Sequence, residues 1–156
     1  MINVKVTFIV NKPIKDLWKV TAEEFEKIGS WSTGIYKSWK TKEYDRICET
    51  SFGKLYEKIT LKDEKDYRIE VDAKGLPFFV KEFTGFWQFK KITDKKTEAT
   101  VSLNMKTMPI IGSFMGLFLK PQLEKGIKIT VKDYIHFLEK GTISDRKKRE
   151  KASLKK

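Results

Sequence analysis

The sequence predicts one domain of the α+β class, and three observations support that prediction. The chain has 156 residues, the usual length of a single domain and enough to bury a substantial core. Most of it consists of short alternating apolar and polar runs separated by turns, which indicates strands. Only the last long apolar pattern, over about residues 110–140, has helical spacing. We therefore expect an antiparallel sheet of about seven strands with a long C-terminal helix against it.

The first elements are a strand and two short helices. Apolar and polar residues alternate from Ile2 to Val10, which predicts a half-buried strand. Pro13 begins a helical turn, and the apolar spacing up to Ile28 suits one or two short helices that end at Gly29. The turn-rich segment SWSTGIYKSWK then leads into a second strand.

The middle of the chain is a series of strands with short connections. Connections this short join antiparallel neighbours, because parallel strands need crossovers of about a dozen residues or more. Apolar residues share one face of these strands and polar residues the other, so we expect one covered and one wet face. The predicted strands are Asp45–Phe52, Lys54–Lys62, Tyr67–Lys74, Val80–Ile92 and Glu98–Thr107.

The long helix is predicted from about Ile110 to Lys140, with Gly141 as its stop and a kink at Pro121. Its length would be roughly 45 Å. A helix of this length with one apolar stripe needs a surface to cover, and the sheet supplies that surface.

Composition excludes several kinds of site. Cys48 is the only cysteine and His136 the only histidine, which rules out an internal disulfide and argues against a cysteine- or histidine-rich metal centre. We predict no metal and no cofactor, because dinucleotide, phosphate-loop and serine-elbow motifs are also missing. The N-terminal segment lacks the pattern of a secretory signal, and the cysteine usage favours a cytoplasmic setting.

The net charge of +12 is concentrated in part at the C-terminus. Residues 144–156 carry seven Lys or Arg and two acidic residues. We expect a folded domain over residues 1–143 and a basic, disordered tail over 144–156. Such a tail is solvated or makes weak, salt-dependent contact with nucleic acid or anionic lipid.

Two segments carry a resemblance to a known family. RICETSFGKLYEKITLKDEKDYRIEV is similar to the family's Arg-bearing strand, turn and glutamate-bearing strand, and FTGFWQFKKITDKKTEATVSLNMKTMP to its last hairpin. With the order of elements over residues 1–141, the chain resembles the helix-grip fold of the START and polyketide-cyclase superfamily, which includes the major birch pollen allergen. The resemblance implies a curved sheet that grips the long helix, with a hydrophobic cavity between them.

Family members bind sterols, phospholipids, plant hormones, flavonoids or polyketide intermediates, and a minority catalyse cyclisation or dehydration. The resemblance thus implies a carrier or sensor of a hydrophobic small molecule or lipid. The alternative is a cyclase or dehydratase that acts on an aromatic or hydrophobic substrate. We expect no specific nucleic-acid binding, because the strand aromatics fall on the covered face of the sheet, away from most charges.

Glu57 is the candidate catalytic residue. The strand pattern places it on the same face as Leu55, Ile59 and Leu61. A carboxylate on an apolar face is costly unless it is paired, and burial would raise its pKa toward the range of a general acid or base. The alternative is that Glu57 pairs with an interior Arg or Tyr, for example Arg46, or lies near an open end of the sheet.

The expected cavity wall combines inward strand residues with the uncharged run Met108–Leu119. That run is too short to span a bilayer, which takes about 20 residues. We interpret it as a gate or wall of the cavity, and shallow insertion into an anionic membrane stays open because Lys106, Lys120 and Lys125 flank it. The candidate cavity residues are Trp31, Tyr36, Trp39, Ile59, Tyr67, Ile69, Val71, Phe83, Trp87, Phe89, Val101, Leu103, Met105, Phe114, Met115, Phe118 and Leu119.

Overall fold

The computed structural model describes residues 1–155, apart from the surroundings of Gly112. It confirms the α+β fold, with one sheet in the order β1-β7-β6-β5-β4-β3-β2 in which all neighbouring strands are antiparallel. The strands are β1 (Ile2–Val10), β2 (Lys37–Trp39), β3 (Arg46–Thr50), β4 (Gly53–Asp63), β5 (Arg68–Lys74), β6 (Val80–Thr93) and β7 (Lys96–Thr107). The helices are α1 (Ile14–Trp18), α2 (Pro109–Lys140) and α3 (Asp145–Leu154).

The segment between α1 and β2 is irregularly helical. It forms a π-helical turn over Lys19–Glu23 and a 3₁₀ helix over Phe25–Ser30. A 3₁₀ helix has poorer hydrogen-bond geometry than an α-helix, and a π-helical turn is rare. The predicted short helices are present in this irregular form, and the last of them ends next to Gly29, as expected.

The register of the strands defines an inner face. Residues opposite each other in an antiparallel pair point to the same side, so Arg46 opposite Glu57 and Trp87 opposite Val101 belong to one face. A β-bulge after Ile59 shifts the register of β4. Leu61 therefore pairs with Glu70, on the outer face, and not with the inner residues among which the sequence pattern places it.

The C-terminal half of α2 packs on the inner face and forms the core there. Tyr134 is fully buried among residues of α1, β5 and β6, and Ile127 and Val131 pack on β1 and β7. Apolar burial of this kind is the main favourable term in folding. The sheet and α2 are therefore held together mostly by the second half of the helix.

Helix α2 has a recognisable start signal at one end and a stop signal at the other. Met108 is extended and Pro109 occupies the first helical position, where its missing N–H costs nothing. Gly141 has a φ of 71°, the left-handed conformation that glycine adopts at helix C-termini. The helix has 32 residues, so it is roughly 48 Å long.

The end of the chain differs from the expected disordered tail. Residues Asp145–Leu154 form α3, and the side chain of Ser144 caps it by accepting a hydrogen bond from the Lys147 N–H. The Lys147 ammonium is fully buried and donates to the carbonyls of Ser32 (2.9 Å) and Ile35 (2.7 Å). It also contacts Glu150 at 2.6 Å, so two of the charges that suggest a solvated tail in the sequence are paired in the structure.

Candidate functional site: an interior cavity with an ion pair in its wall

The inner face of the sheet and the irregular helical segment enclose a cavity of about 80 Å³. Its wall is mostly apolar. The helical segment contributes five of the lining residues, namely Val20, Thr21, Phe25, Ile28 and Trp31. The sheet contributes Arg46, Glu57, Val71, Ala73, Phe83, Gly85, Phe86, Trp87 and Leu103. A cavity of this size holds several water molecules or a small organic group.

An ion pair between Arg46 and Glu57 is the main polar feature of the wall. Arg46 Nε donates to Glu57 Oε2 at 2.5 Å, and Nη2 donates to Oε1 at 3.0 Å. The two side chains retain only 11% and 12% of their exposure. The remaining guanidinium nitrogen, Nη1, donates to the Phe25 carbonyl at 2.9 Å, and the group stacks over the Phe25 ring at 3.7 Å. The bidentate pair joins β3 to β4, and the hydrogen bond to the Phe25 carbonyl ties the short helices to these strands.

Burial and the partner Glu57 act in opposite directions on the pKa of Arg46, and burial also shifts the pKa of Cys48. Burial alone would lower the pKa of Arg46, but Coulombic attraction and hydrogen bonding from Glu57 outweigh it, and the pKa of Arg46 is raised. Burial raises the pKa of the Cys48 thiol to about 12, against the opposing effect of Arg46. The thiol donates to Glu57 Oε2 at 3.5 Å. Cys48 is therefore a protonated, buried thiol at neutral pH.

A second polar group lies at the boundary between the cavity and the core. The Tyr134 hydroxyl donates to the Leu17 carbonyl at 3.2 Å and lies 2.8 Å from the Thr21 hydroxyl. Burial raises the pKa of Tyr134, although the hydrogen bond with Thr21 opposes this effect. The Tyr134 ring also packs against Trp87 at 4.9 Å and Trp31 at 5.4 Å between centroids. Helix α2 thus supports two aromatic lining residues from behind.

The structure brings together part of the predicted site. Glu57 and five of the candidate cavity residues line the cavity, namely Trp31, Val71, Phe83, Trp87 and Leu103. Glu57 pairs with Arg46, which is one of the alternatives that the sequence leaves open for it.

Other candidate residues belong to the packed core and not to the cavity wall. Ile59, Tyr67, Ile69 and Phe89 pack in the cluster that contains Tyr134. Val101, Met105 and Leu119 pack in the cluster between α2, β1 and β7. Sequence alternation identifies an inward side chain, but it does not show whether that side chain meets another or a gap.

The remaining candidates lie away from the cavity. Trp39 of β2 pairs with Ile47 of β3, which follows Arg46 directly. The pleat therefore places the Trp39 side chain on the face of the sheet opposite to that of Arg46. Tyr36 precedes β2 and is half-buried outside the cavity wall. Phe114 and Phe118 are 68% and 58% exposed, and Met115 is half-buried.

The cavity also lies in a different place from the expected one. The sequence predicts a cavity between the sheet and the C-terminal helix. The lining residues come from the sheet and the short helices, and none of those described comes from α2. The reason is that Ile127, Val131 and Tyr134 fill the space under α2. Apart from Trp31, the lining residues of the helical segment are not among the sequence candidates. A signal for them exists in the sequence, because the apolar side chains of this segment also need a surface to cover.

Comparison of the sequence with protein-family models and with curated proteins gives no match. The fold is similar to many solved structures. A START superfamily protein from Mycobacterium smegmatis superimposes with a TM-score of 0.72 at 12% identity, over 91% of this chain and 100% of that one. The Zhui aromatase/cyclase from Streptomyces sp. R1128 gives a TM-score of 0.73 at 14% identity, over 88% and 93%.

A plant protein is also among the similar structures. A norcoclaurine synthase point mutant from Thalictrum flavum, solved with a transition-state analogue, gives a TM-score of 0.63 at 13% identity, over 86% of this chain and 94% of that one. The chain therefore has the START-like helix-grip fold, as the resemblance implies. At these identities the comparison establishes the fold, which hosts both binding proteins and enzymes.

Proposed function

We propose that this protein binds a hydrophobic small molecule or lipid group in the interior cavity, as a carrier or sensor. The observation that carries the proposal is the single polar pair, Arg46 and Glu57, in a wall that is otherwise mostly apolar. Ligand sites commonly combine apolar lining with a few placed polar groups that fix orientation. The free, buried Cys48 fits a reducing, cytoplasmic setting for such a protein.

The size of the cavity constrains the ligand. At about 80 Å³ it is smaller than the roughly 300–1,000 Å³ of pockets for drug-sized ligands. The ligand is therefore a small aromatic or aliphatic group, or the wall opens to admit more of the molecule. The π-helical and 3₁₀ turns over Lys19–Glu23 and Phe25–Ser30 are the part of the wall that lies outside the sheet. Opening at that segment leaves the sheet intact.

The test is a titration of the full chain with a panel of neutral one- to three-ring aromatic compounds, followed by tryptophan emission. Trp31 and Trp87 line the cavity and report on its contents. The variant Ala73→Leu adds side-chain volume inside the cavity, and Ala152→Leu adds the same volume on the exposed face of α3.

We expect saturable one-to-one binding that Ala73→Leu weakens by roughly tenfold or more and Ala152→Leu leaves unchanged. Binding that is the same in both variants would place the ligand outside the cavity and contradict the proposal. No emission change with any compound in the wild-type protein would contradict it as well.

The second candidate function is that of a cyclase- or dehydratase-like enzyme on a hydrophobic substrate. The observation that favours it is that Glu57 reaches the cavity wall with a carboxylate. Against it, both carboxylate oxygens already accept hydrogen bonds from Arg46. The variant Glu57→Gln separates the two: an enzyme that uses Glu57 as acid or base loses about 100-fold or more in turnover, whereas a carrier retains binding.

A further inference from the structure

We propose that one end of the molecule docks on a membrane surface that contains anionic lipid. This apolar end consists of the β3–β4 turn (Ser51–Phe52), the β5–β6 loop (Gly75–Phe79) and the first half of α2 (Pro109–Pro121). The inference concerns a surface and its partner, and it does not depend on what the cavity binds.

The topology brings these three segments to the same edge of the sheet. In the register, Thr50 is opposite Gly53 and Val80 is opposite Thr107, so the β3–β4 and β5–β6 connections and the exit of β7 all lie at one end. The β5–β6 loop also contacts the start of the helix directly, since the Met108 N–H donates to the Phe79 carbonyl at 2.9 Å. Segments that are distant in sequence therefore lie at one end of the sheet.

Each of the three segments exposes an aromatic ring there. Phe52 is 95% exposed in the turn and Phe78 is 81% exposed in the loop. On α2, residues at helical spacing form an exposed apolar stripe that consists of Ile110, Phe114, Leu117 and Phe118. The same part of the helix packs on β1 and β7 with Leu119, so the stripe is additional to the core-facing surface. Monomeric soluble proteins seldom expose contiguous apolar patches unless the patch binds something.

The charges around this surface favour an anionic partner. No Asp or Glu occurs between Glu98 and Glu124. Exposed lysines lie on the elements that border this end, namely Lys54, Lys74, Lys81, Lys106 and Lys120. The acidic residues near them include Glu49 and Glu82, and Glu82 pairs with Lys106. Aromatic side chains at the interface with lysines at the level of the headgroups are the usual arrangement for binding to an anionic bilayer surface.

The opposite end of the sheet has a different character. Its turns include Asp63–Tyr67 and Thr93–Lys96, which carry acidic and basic residues together. Exposed large apolar residues there are aliphatic, and the most exposed, Ile92, reaches 48%. The exposed rings are therefore a feature of one end and not of the surface in general.

A membrane accounts for this surface better than a second copy of the chain. A symmetric dimer through this end would bring two lysine-rich surfaces against each other. An anionic bilayer buries the same rings and neutralises the lysines. The cavity extends toward this end, because Ala73 is the penultimate residue of β5 and Phe83 lies near the start of β6. Docking would thus hold the cavity close to the lipid phase.

The test is flotation of the full chain with phosphatidylcholine vesicles, with and without about 30% phosphatidylglycerol. The test variant is Phe114→Ser/Phe118→Ser, which removes two exposed rings. The matched control is Ile92→Ser at the opposite end. Because all three positions are exposed, circular dichroism should show that each variant keeps its fold.

We expect wild-type protein and the Ile92→Ser variant to float with the anionic vesicles and the double variant to bind roughly tenfold or more weakly. Raising the salt from about 0.1 M to about 0.5 M should also release the wild-type protein, because it screens the lysines. Equal flotation of the double variant would mean adsorption through net charge alone and would overturn the proposal. Failure of the wild-type protein to float, or dimerisation that the same two substitutions abolish, would overturn it too.

Discussion

At the scale of single residues, Arg46 and Glu57 connect the fold and the candidate site. The pair joins β3 to β4, and its third hydrogen bond reaches the Phe25 carbonyl in the short helices. Removing one of the two charges leaves the other largely buried without its partner. The free-energy cost of that unpaired charge is larger than the stabilisation that the intact pair contributes. The same pair thus supports the cavity wall and supplies its polar group.

The first prediction is that Glu57→Gln lowers the free energy of unfolding by about 1–3 kcal/mol, since Arg46 keeps its charge in a site that no longer neutralises it. Urea denaturation measures the change. The matched control is Glu82→Gln, whose partner Lys106 lies 3.4 Å away on the exposed surface. That variant should stay within about 0.5 kcal/mol of the wild type. Equal effects of the two substitutions would show that the Arg46–Glu57 pair contributes no more than a surface pair.

The second prediction concerns Cys48 and alkaline pH. Burial raises the pKa of its thiol from about 9 to about 12, so the unfolded chain ionises first as the pH rises. The stabilising contribution is complete below about pH 9 and is lost as the pH approaches 12. The stability of the wild type relative to Cys48→Ala should therefore fall by about 1–2 kcal/mol between about pH 8 and pH 10.

Denaturation of both proteins at the two pH values checks this prediction. Other titrating groups cancel in the difference between the two proteins, because they are common to both. A difference that stays constant, or that grows with pH, would contradict the assignment of a raised thiol pKa.

How well the site residues can be predicted depends on what the alternation of apolar and polar residues contains. Alternation on β4 places Glu57 on the inner face, and the short β3–β4 turn places Arg46 opposite to it. The bulge that turns Leu61 outward leaves no trace in a pattern of apolar residues, because it inserts a residue without changing the residue types. Whether Ile69 lines a gap or fills a core depends on packing, which the pattern does not record.

At the scale of elements, α3 shows how paired charges can stabilise a segment whose composition suggests disorder. Lys147 reaches two carbonyls of the loop after the short helices, and Glu150 accepts from the Gly34 N–H at 2.7 Å. Asp133 of α2 is fully buried and accepts from Ser144 and from the Thr33 N–H, both at 2.7 Å. Single-sequence composition cannot reveal the contacts with the loop after the short helices, because those partners lie about one hundred residues away.

The third prediction is that Lys147→Met destabilises the docking of α3 by about 2–4 kcal/mol, because Glu150 and two carbonyls lose their buried donor. Native-state hydrogen exchange of the α3 amides measures the free energy of this local opening. The control is Lys148→Met, since the Lys148 side chain is 56% exposed. The same protection of α3 in both variants would show that the buried ammonium does not hold the helix.

Among the elements, strands were easier to predict than the role of the long helix. The predicted strands agree with the structure to within a few residues, and the helix begins one residue earlier than expected, at Pro109. The sequence pattern treats the apolar residues of α2 as one stripe. The structure divides them into a core-facing set and an exposed set with Phe114 and Phe118, because the sheet covers the second half of the helix more fully than the first. No helix of the described chain is long and apolar enough to cross a membrane.

At the scale of the whole molecule, one sheet serves two purposes. Its inner face supports the core under α2 and, farther toward β3, the cavity under the short helices. Its two ends differ, because among the described residues only one end exposes aromatic rings. The fold class follows from the order of elements, whereas the position of the cavity follows from which helix fills the space over the sheet, and only the structure shows that.

Native mass spectrometry of gently purified protein shows whether the interior cavity receives a hydrophobic molecule. The wild type and Ala73→Leu are compared, and any released molecule is identified after denaturation. We expect one small hydrophobic molecule per wild-type chain, taken up from the cell or from an added lipid extract, and a marked loss of it in Ala73→Leu. Ligand-free wild-type protein in both preparations, or equal occupancy in the two proteins, would contradict binding in the cavity.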